Sequence, residues 1–262
     1  NLINNNLLKF KTKFIPVDSE HFSLWFATKN FELRTVENLF LTASGGPFFR
    51  TPLSKFKNIS IKKALNHPNW KMGNKITIDS ATMINKVFEV IEAKKIFNIP
   101  YKKIKILIHP KSYVHVLIKF KNGLIKIIAH DTTMKIPIFN TLYNQYNKTI
   151  NTKDIDIKKL NNLSFECANS KRYPMINILK LLPQETSLYE TVIVSANDTL
   201  VNLFLKKKLS FIDIQKELFK VLKNKEFLKY RKITPKNINE IIKLNNYVHS
   251  KILKKVYKTK NV

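Results

Sequence analysis

The chain alternates two kinds of apolar spacing. Between Ser80 and Phe97 the apolar positions Met83, Ile84, Val87, Val90, Ile91 and Ile96 recur at helical intervals. Short runs rich in β-branched residues read as strands. They are Lys13–Val17, Asn38–Ala43, Lys75–Ile78, Lys105–Ile108, Val114–Phe120 and Leu124–Ile128. Lys121-Asn122-Gly123 is a hairpin turn between the last two. From Pro174 onward the spacing is helical throughout, over Met175–Leu182, Tyr189–Lys206, Ile212–Lys223 and Pro235–Lys255. Residues 141–172 are polar and irregular, with NKTINTKDID as the clearest linker signal. The pattern predicts an α+β fold: an α/β-like catalytic domain with a mixed sheet over 1–140, a linker over 141–172, and an all-α helical-bundle domain over 173–262. There is no internal repeat.

Composition narrows the function classes. The 262 residues suffice for one large or two modest domains, and 44% hydrophobic content suffices for a core. The single cysteine, Cys167, excludes an internal disulfide and a cysteine-based zinc site. Four glycines, Gly45, Gly46, Gly73 and Gly123, are too few and too scattered for a phosphate-binding glycine loop. No apolar run reaches the ~18–20 residues of a membrane span, so no membrane partner is expected. The N-terminus resembles neither a signal peptide nor a transit peptide and lacks Met, so the chain is expected to begin partway through a longer protein.

The 47 Lys+Arg against 18 Asp+Glu give a net charge of +29. The lysines are spread along the chain without a nucleic-acid motif. The expectation is a basic surface that attracts anionic small molecules, with no nucleic-acid partner.

Four segments carry candidate chemistry. In an extended Asp18-Ser19-Glu20, both carboxylates would project to one side. Glu89 on the long helix adds a third acid. At ~4 Å and an effective dielectric of ~20, each like-charge pair costs about 4 kcal/mol, which a proton or a divalent cation relieves. All-oxygen ligation suits Mg²⁺ or Mn²⁺. Ser80 sits where an N-cap would sit, and free N–H groups there favour an anion, with Asn85 and Lys86 one turn on. Ser44-Gly45-Gly46 ends a strand in a turn that a ligand can approach closely. His67–Gly73 places Trp70 and Met72 in a loop with Gly73 as a hinge. Each has a plainer reading: a solvated acidic loop, a capped helix with a surface Lys–Glu pair, a tight turn, a buried loop anchor.

Together, PVDSEH, LTASGGPF, HPNWKMGNKITIDSATMINKVFEVIEA and IHPKSYVH resemble the 1-deoxy-D-xylulose 5-phosphate reductoisomerase family, in the family's order. The likeness continues more weakly through Leu163-Ser164-Phe165, Arg172-Tyr173-Pro174 and Ser195-Ala196-Asn197-Asp198. The family rearranges 1-deoxy-D-xylulose 5-phosphate and reduces it with NADPH to 2-C-methyl-D-erythritol 4-phosphate, in non-mevalonate isoprenoid synthesis. The resemblance implies Asp18, Glu20 and Glu89 as ligands of Mn²⁺ or Mg²⁺. It implies Ser19, Ser44, Ser80, Asn85, Lys86 and Met72 as substrate contacts. Residues 64–74 match the mobile lid, with His67 in it and Trp70 covering the substrate. His21 and His115 match active-site histidines, though either could be a structural hydrogen-bonding histidine. Gly73 and Met134 fall on the cofactor side. A homodimer in a bacterial cytoplasm or a plastid-type organelle follows by the same likeness; a non-catalytic or related sugar-phosphate reductase-like binding module is the alternative. Three departures stand out. The family's dinucleotide-binding domain, which precedes PVDSEH, is not in this sequence. Leu142–Lys148 lacks the family's aromatic-Pro-x-Arg pattern. Asp198 stands where the family usually has Glu.

Overall fold

The computed structural model describes residues 2–29, 31–143 and 147–258. In chain order the elements are α1 (Leu2–Lys9), α2 (Ser19–Thr28), β1 (Val36–Ala43), α3 (Ile61–Ala64), α4 (Asn74–Thr82) and α5 (Ile84–Phe97). Next come β2 (Ile104–Ile108), β3 (Val114–Phe120), β4 (Ile125–Ala129), α6 (Lys135–Leu142), α7 (Ile157–Asn161) and β5 (Glu166–Cys167). The last four are α8 (Tyr189–Leu205), α9 (Phe211–Leu222), α10 (Lys225–Leu228) and α11 (Ile238–Lys258). The architecture is α+β, as the apolar spacing predicts.

The sheet is mixed, in the order β4-β3-β1-β2-β5. β1 and β2 run parallel, joined by the crossover that contains α3, α4 and α5; the other pairs are antiparallel. Leu39 and Leu41 face Ile118 and Val116 across the β1–β3 pair. All four are fully buried, the period-2 signature of a strand with one face on the core. β3 turns into β4 through Gly123 at φ +88°, a conformation glycine adopts without a Cβ clash.

α5 is buried on two sides. Val90, Ala93 and Phe97 pack with α2 and the sheet. Ile84, Val87 and Ile91 belong to a second cluster, which runs from Phe48 and Ile78 through α8 and α9 to Val256 of α11. Each such side chain stabilises the fold by roughly 1.5–3 kcal/mol over leaving it in water. The sheet and the C-terminal helices therefore share one helix rather than merely touching.

Several local expectations are corrected. Lys13–Val17 forms no strand with any of the described residues; it leads straight into the cap of α2. Lys75–Ile78 is helical, because α4 begins right after Gly73 and Thr77 donates back to the Gly73 carbonyl at 2.9 Å. The helix expected over 80–97 is two helices, broken at Met83, whose φ is +68°. Met175–Leu182 is a 3-10 helix over Pro174–Leu181. Within 141–172 the chain forms α7 and β5, and β5 adds an antiparallel edge to β2. Residues 144–146, inside the stretch that lacks the aromatic-Pro-x-Arg pattern, lie outside the described residues. Among the described residues, no helix is long and apolar enough to cross a membrane.

Candidate metal and phosphate site

Asp18 caps α2, accepting from the backbone N–H groups of Glu20 at 3.2 Å and His21 at 3.5 Å. Glu20 lies in the first turn, where the helix dipole favours an anion. The two carboxylates thus meet by cap geometry, not by the extended alternation expected from the sequence. Glu89 arrives from α5. One oxygen of each acid lies within 4.8 Å of the others. His21 holds the arrangement from behind: it is 1% exposed, and its Nε2–H donates to the Glu89 carbonyl at 2.9 Å.

Lys86 joins two of the three acids. Its Nζ is 2.6 Å from Glu20 Oε1 and 2.5 Å from Glu89 Oε2. Asn85 Nδ2 donates to Glu89 Oε1 at 2.6 Å, and Ser19 Oγ to Glu20 Oε2. Burial works against the Glu20 charge, but the Lys86 ammonium beside it wins and holds the carboxyl down at about 2. Glu89 goes the other way: burial and then the Glu20 charge push it well above the usual carboxylate range. Asp18 is likewise raised, by desolvation and then by Glu20. Lys86, buried yet flanked by two acids, is raised. With every group ionised, three carboxylates and one ammonium leave a net charge of −3 + 1 = −2. An oxygen-only donor set with that surplus fits a hard divalent cation.

The second half of the site is hydroxyl-rich. Backbone N–H groups of Asn69 and Trp70 both donate to His67 Nδ1, at 3.2 and 3.0 Å. That fixes the ring as the neutral Nε2–H tautomer, and burial lowers its basicity in the same sense. Nε2 faces Ser44 Oγ at 3.0 Å and Ser80 Oγ at 3.2 Å. Ser44 Oγ also accepts from Gly46 N at 3.0 Å. Gly46, at φ +66°, lies so close to α4 that a Cβ would come within 3.0 Å of the Ala81 Cα. Ser80 is in the last turn of α4, not at a helix start as expected. The open helix start belongs to α5 instead, where Met83 precedes Ile84 without a side-chain cap.

The loop that carries Trp70 is tied down by Asn69, whose Nδ2 donates to the Pro110 carbonyl at 2.6 Å and to Ser112 Oγ at 2.8 Å. Trp70 meets His115 edge-on, ring centres 6.4 Å apart. On its other side His115 stacks on His130 at 3.8 Å. Burial, then the second imidazole, push His115 down to about 3, so the ring is neutral at physiological pH.

These groups surround one cavity of about 380 Å³. Asp18, Ser19, Glu20, Glu89, Asn85 and Lys86 line one end, and Ser44, His67 and Ser80 are also in its wall. Trp70, Met72, His115 and Met134 line it too. His21 and Gly73 do not line it: His21 lies behind Glu89, and Gly73 is the N-cap of α4. Sequence reasoning assigned no role to His130, Asn69 or Ser112, and although Asp198 was singled out as a departure, its meeting with Lys75, Asp79 and Asn197 beyond the cavity was not foreseen. Asn69, Ser112, Lys75, Asp79, Asn197 and Asp198 all stand inside quoted segments and were within reach; His130 lies outside them.

Comparison with known proteins finds relatives along most of the chain. A family model described as the 1-deoxy-D-xylulose 5-phosphate reductoisomerase C-terminal domain matches residues 14–97. A second, the DXP reductoisomerase C-terminal domain, matches residues 131–251. The chain is 56% identical over 252 residues to a 1-deoxy-D-xylulose 5-phosphate reductoisomerase of Pelagibacter ubique, covering 96% of this chain and 65% of that protein. It is 39% identical over 206 residues to the namesake protein of Aquifex aeolicus, covering 79% of this chain and 54% of that one. The chain thus spans less than two thirds of the length of these relatives. Among solved structures, the Zymomonas mobilis reductoisomerase in complex with NADPH superposes with a TM-score of 0.84 at 29% identity, over 97% of this chain and 64% of that one. A DOX-P reductoisomerase in complex with NADPH, fosmidomycin and magnesium superposes with a TM-score of 0.85 at 27% identity, over 99% of this chain and 67% of that one.

Proposed function

The chain belongs to the 1-deoxy-D-xylulose 5-phosphate reductoisomerase family, and on that premise we propose that it provides the metal and substrate-phosphate sites of an enzyme of that activity. The reaction would be the rearrangement of 1-deoxy-D-xylulose 5-phosphate and its NADPH-dependent reduction to 2-C-methyl-D-erythritol 4-phosphate. One observation carries the reading. Three carboxylates of surplus charge and a cluster of serine hydroxyls line a single cavity whose volume suits a five-carbon sugar phosphate.

Asp18, Glu20 and Glu89 would hold Mg²⁺ or Mn²⁺. The ion supplies Lewis acidity toward the substrate's carbonyl and hydroxyl oxygens. Ser44 and Ser80 would donate to the phosphoryl oxygens, with Asn85 and Lys86 beside them. Phosphate contacts remote from the reacting carbons orient the substrate. Trp70, on a lid pinned by Asn69, excludes water from the closed cavity. His67 and His115, both neutral, are suited to donate or accept a single hydrogen bond rather than to add a cation. NADPH would deliver its hydride from the Met134 side. Two copies are expected to associate, which light scattering reads directly.

The test is a pair of assays. Mg²⁺ or Mn²⁺ should raise the melting temperature of the full-length protein, and Asp18→Asn should abolish that rise. The full-length protein should oxidise NADPH only when 1-deoxy-D-xylulose 5-phosphate and a divalent cation are both present. A wild-type protein indifferent to saturating metal would refute the ligand assignment.

A further inference from the structure

α4 works on both sides. Ile76, Ser80 and Met83 line the cavity. Lys75 and Asp79, also four residues apart and so stacked on one helix face, do not line it. They join α8 instead. The Asp79 carboxylate is 1% exposed and held from two elements. Its Oδ2 lies 2.7 Å from Lys75 Nζ, and its Oδ1 accepts from Asn197 Nδ2 at 2.8 Å. Lys75 Nζ then reaches Asp198 Oδ1 at 2.9 Å. One lysine thus closes a chain of polar contacts between the helix that carries Ser80 and the helix that carries Asn197 and Asp198.

Apolar packing alone would not fix this register. Ile78 and Ala81 share a cluster with Val192 and Ala196, and such contacts are non-directional. Charge-assisted hydrogen bonds are directional and tolerate little displacement. Ser80 follows Asp79 in the chain, so a slide of α4 along α8 would carry its hydroxyl away from His67, 3.2 Å distant. The Asp198 carboxylate, one methylene shorter than the glutamate usual in the family, still reaches Lys75.

We propose that Asn197 and Asp198 of α8, acting through Lys75 and Asp79, are positioning residues that set the register of α4 and thereby place Ser80 at the phosphate end of the cavity. This rests on the reading of Ser80 as a phosphate contact. It makes phosphate affinity a property of the C-terminal helices, none of which lines the cavity. The metal ligands, on α2 and α5, are outside the lever.

The experiment titrates inorganic phosphate, at saturating Mg²⁺, and separately Mg²⁺ alone, against the full-length protein by thermal shift. The variants are Asp198→Ala, Asp198→Asn, Asp198→Glu, Ser80→Ala and the double variant Asp198→Ala/Ser80→Ala. Asp198 is 45% exposed, so its variants should fold, and the Asn variant keeps the shape if the Ala variant does not. Asp198→Ala and Asp198→Asn should raise the phosphate Kd about 5–10-fold and leave the Mg²⁺ Kd within about 2-fold, the range of coupling energies between connected residues. Asp198→Glu should recover most of the loss. The double variant should bind phosphate no more weakly than Ser80→Ala. The inference is overturned by an unchanged phosphate Kd, by equal weakening of Mg²⁺ and phosphate, or by additive effects in the double variant. Phosphate binding that is lost in Ser80→Ala but untouched in the Asp198 variants refutes the lever alone. A wild type that ignores phosphate refutes the phosphate reading as well.

Discussion

Two lysines in this molecule each sit between two carboxylates. Lys86 lies between Glu20 and Glu89, and Lys75 between Asp79 and Asp198. Locally the two triads are alike, with N–O distances of 2.5–2.6 Å and 2.7–2.9 Å. Their surroundings differ. Lys86 is buried, and a third acid, Asp18, faces the same point from the cap of α2. Lys75 is partly exposed, and its triad is completed by a neutral amide, Asn197. The first set is one charge more negative and opens on a cavity. The second is nearly compensated and locks two helices together. What makes an ion-paired cluster a candidate site is therefore the uncompensated acid and the space beside it, not the ion pair.

The comparison breaks most directly at Glu89. Glu89→Gln removes one of the three ligands and lowers the surplus from −2 to −1, the value of the second triad, so the stabilisation by metal, about 2.7 kcal/mol at a hundredfold excess over Kd, should vanish from thermal melts. A retained metal response would erase the distinction between the triads. Acid sharpens it next, through His115. That ring is held near 3, below its unfolded value of 6.5. The unfolded chain then binds the extra proton, so stability present above pH 6.5 is lost as pH falls toward 3. Melts at pH 6.5 and pH 4.5 should show His115→Gln losing less than wild type, by up to about 2–3 kcal/mol. Identical slopes would mean that the ring is not buried neutral.

Smaller effects belong to the second triad. Lys75→Met strands the buried Asp79 carboxylate. Breaking a buried pair costs 3–5 kcal/mol, and the partial exposure of Lys75 reduces this to about 1–2 kcal/mol. Adding Asp79→Asn should return part of it in urea unfolding, because the charge then left without a partner, on Asp198, is half exposed to water rather than buried. The smallest change is expected at the surface pair Lys119–Glu37, 2.9 Å apart with both side chains about 40% exposed. Lys119→Ala should cost under about 1 kcal/mol by the same measurement.

The strands at the centre of the sheet were legible because their patterns are strong. β1 and β3 are rich in β-branched and aromatic residues, and α8, α9 and α11 keep helical spacing over long stretches. The misreadings have specific causes. Lys75-Ile76-Thr77-Ile78 carries strand-like β-branched residues, but burial of Ile78 and the hydroxyl of Thr77 suit a helix start after Gly73. The break at Met83 is invisible to periodicity, because Met83, Ile84 and Val87 are apolar on both sides of it. β5 is two residues long inside a polar stretch. The site was legible only in part from the residues themselves. Asp18 and Glu20 are neighbours in sequence, but nothing local brings Glu89 to them. The family resemblance did that, and the carboxylate oxygens do gather. Lys75 and Asp79 are four apart, but once that stretch is read as a strand the pairing is hidden, and their contact with Asn197 and Asp198 exists only through tertiary packing.

The double burial of α5 has a consequence for synthesis. When α4 and α5 leave the ribosome, Ile78, Ile84 and Val87 lack most of their apolar cover, because apart from Phe48, Ala64 and their own helices the buried members of their cluster lie at Met175 and beyond. At about 5–20 residues per second, that greasy surface stays bare for on the order of ten seconds. The nascent chain is then at its most prone to clumping and most in need of a chaperone, and the Ser80 end of the cavity takes its final form only after α8 has been made.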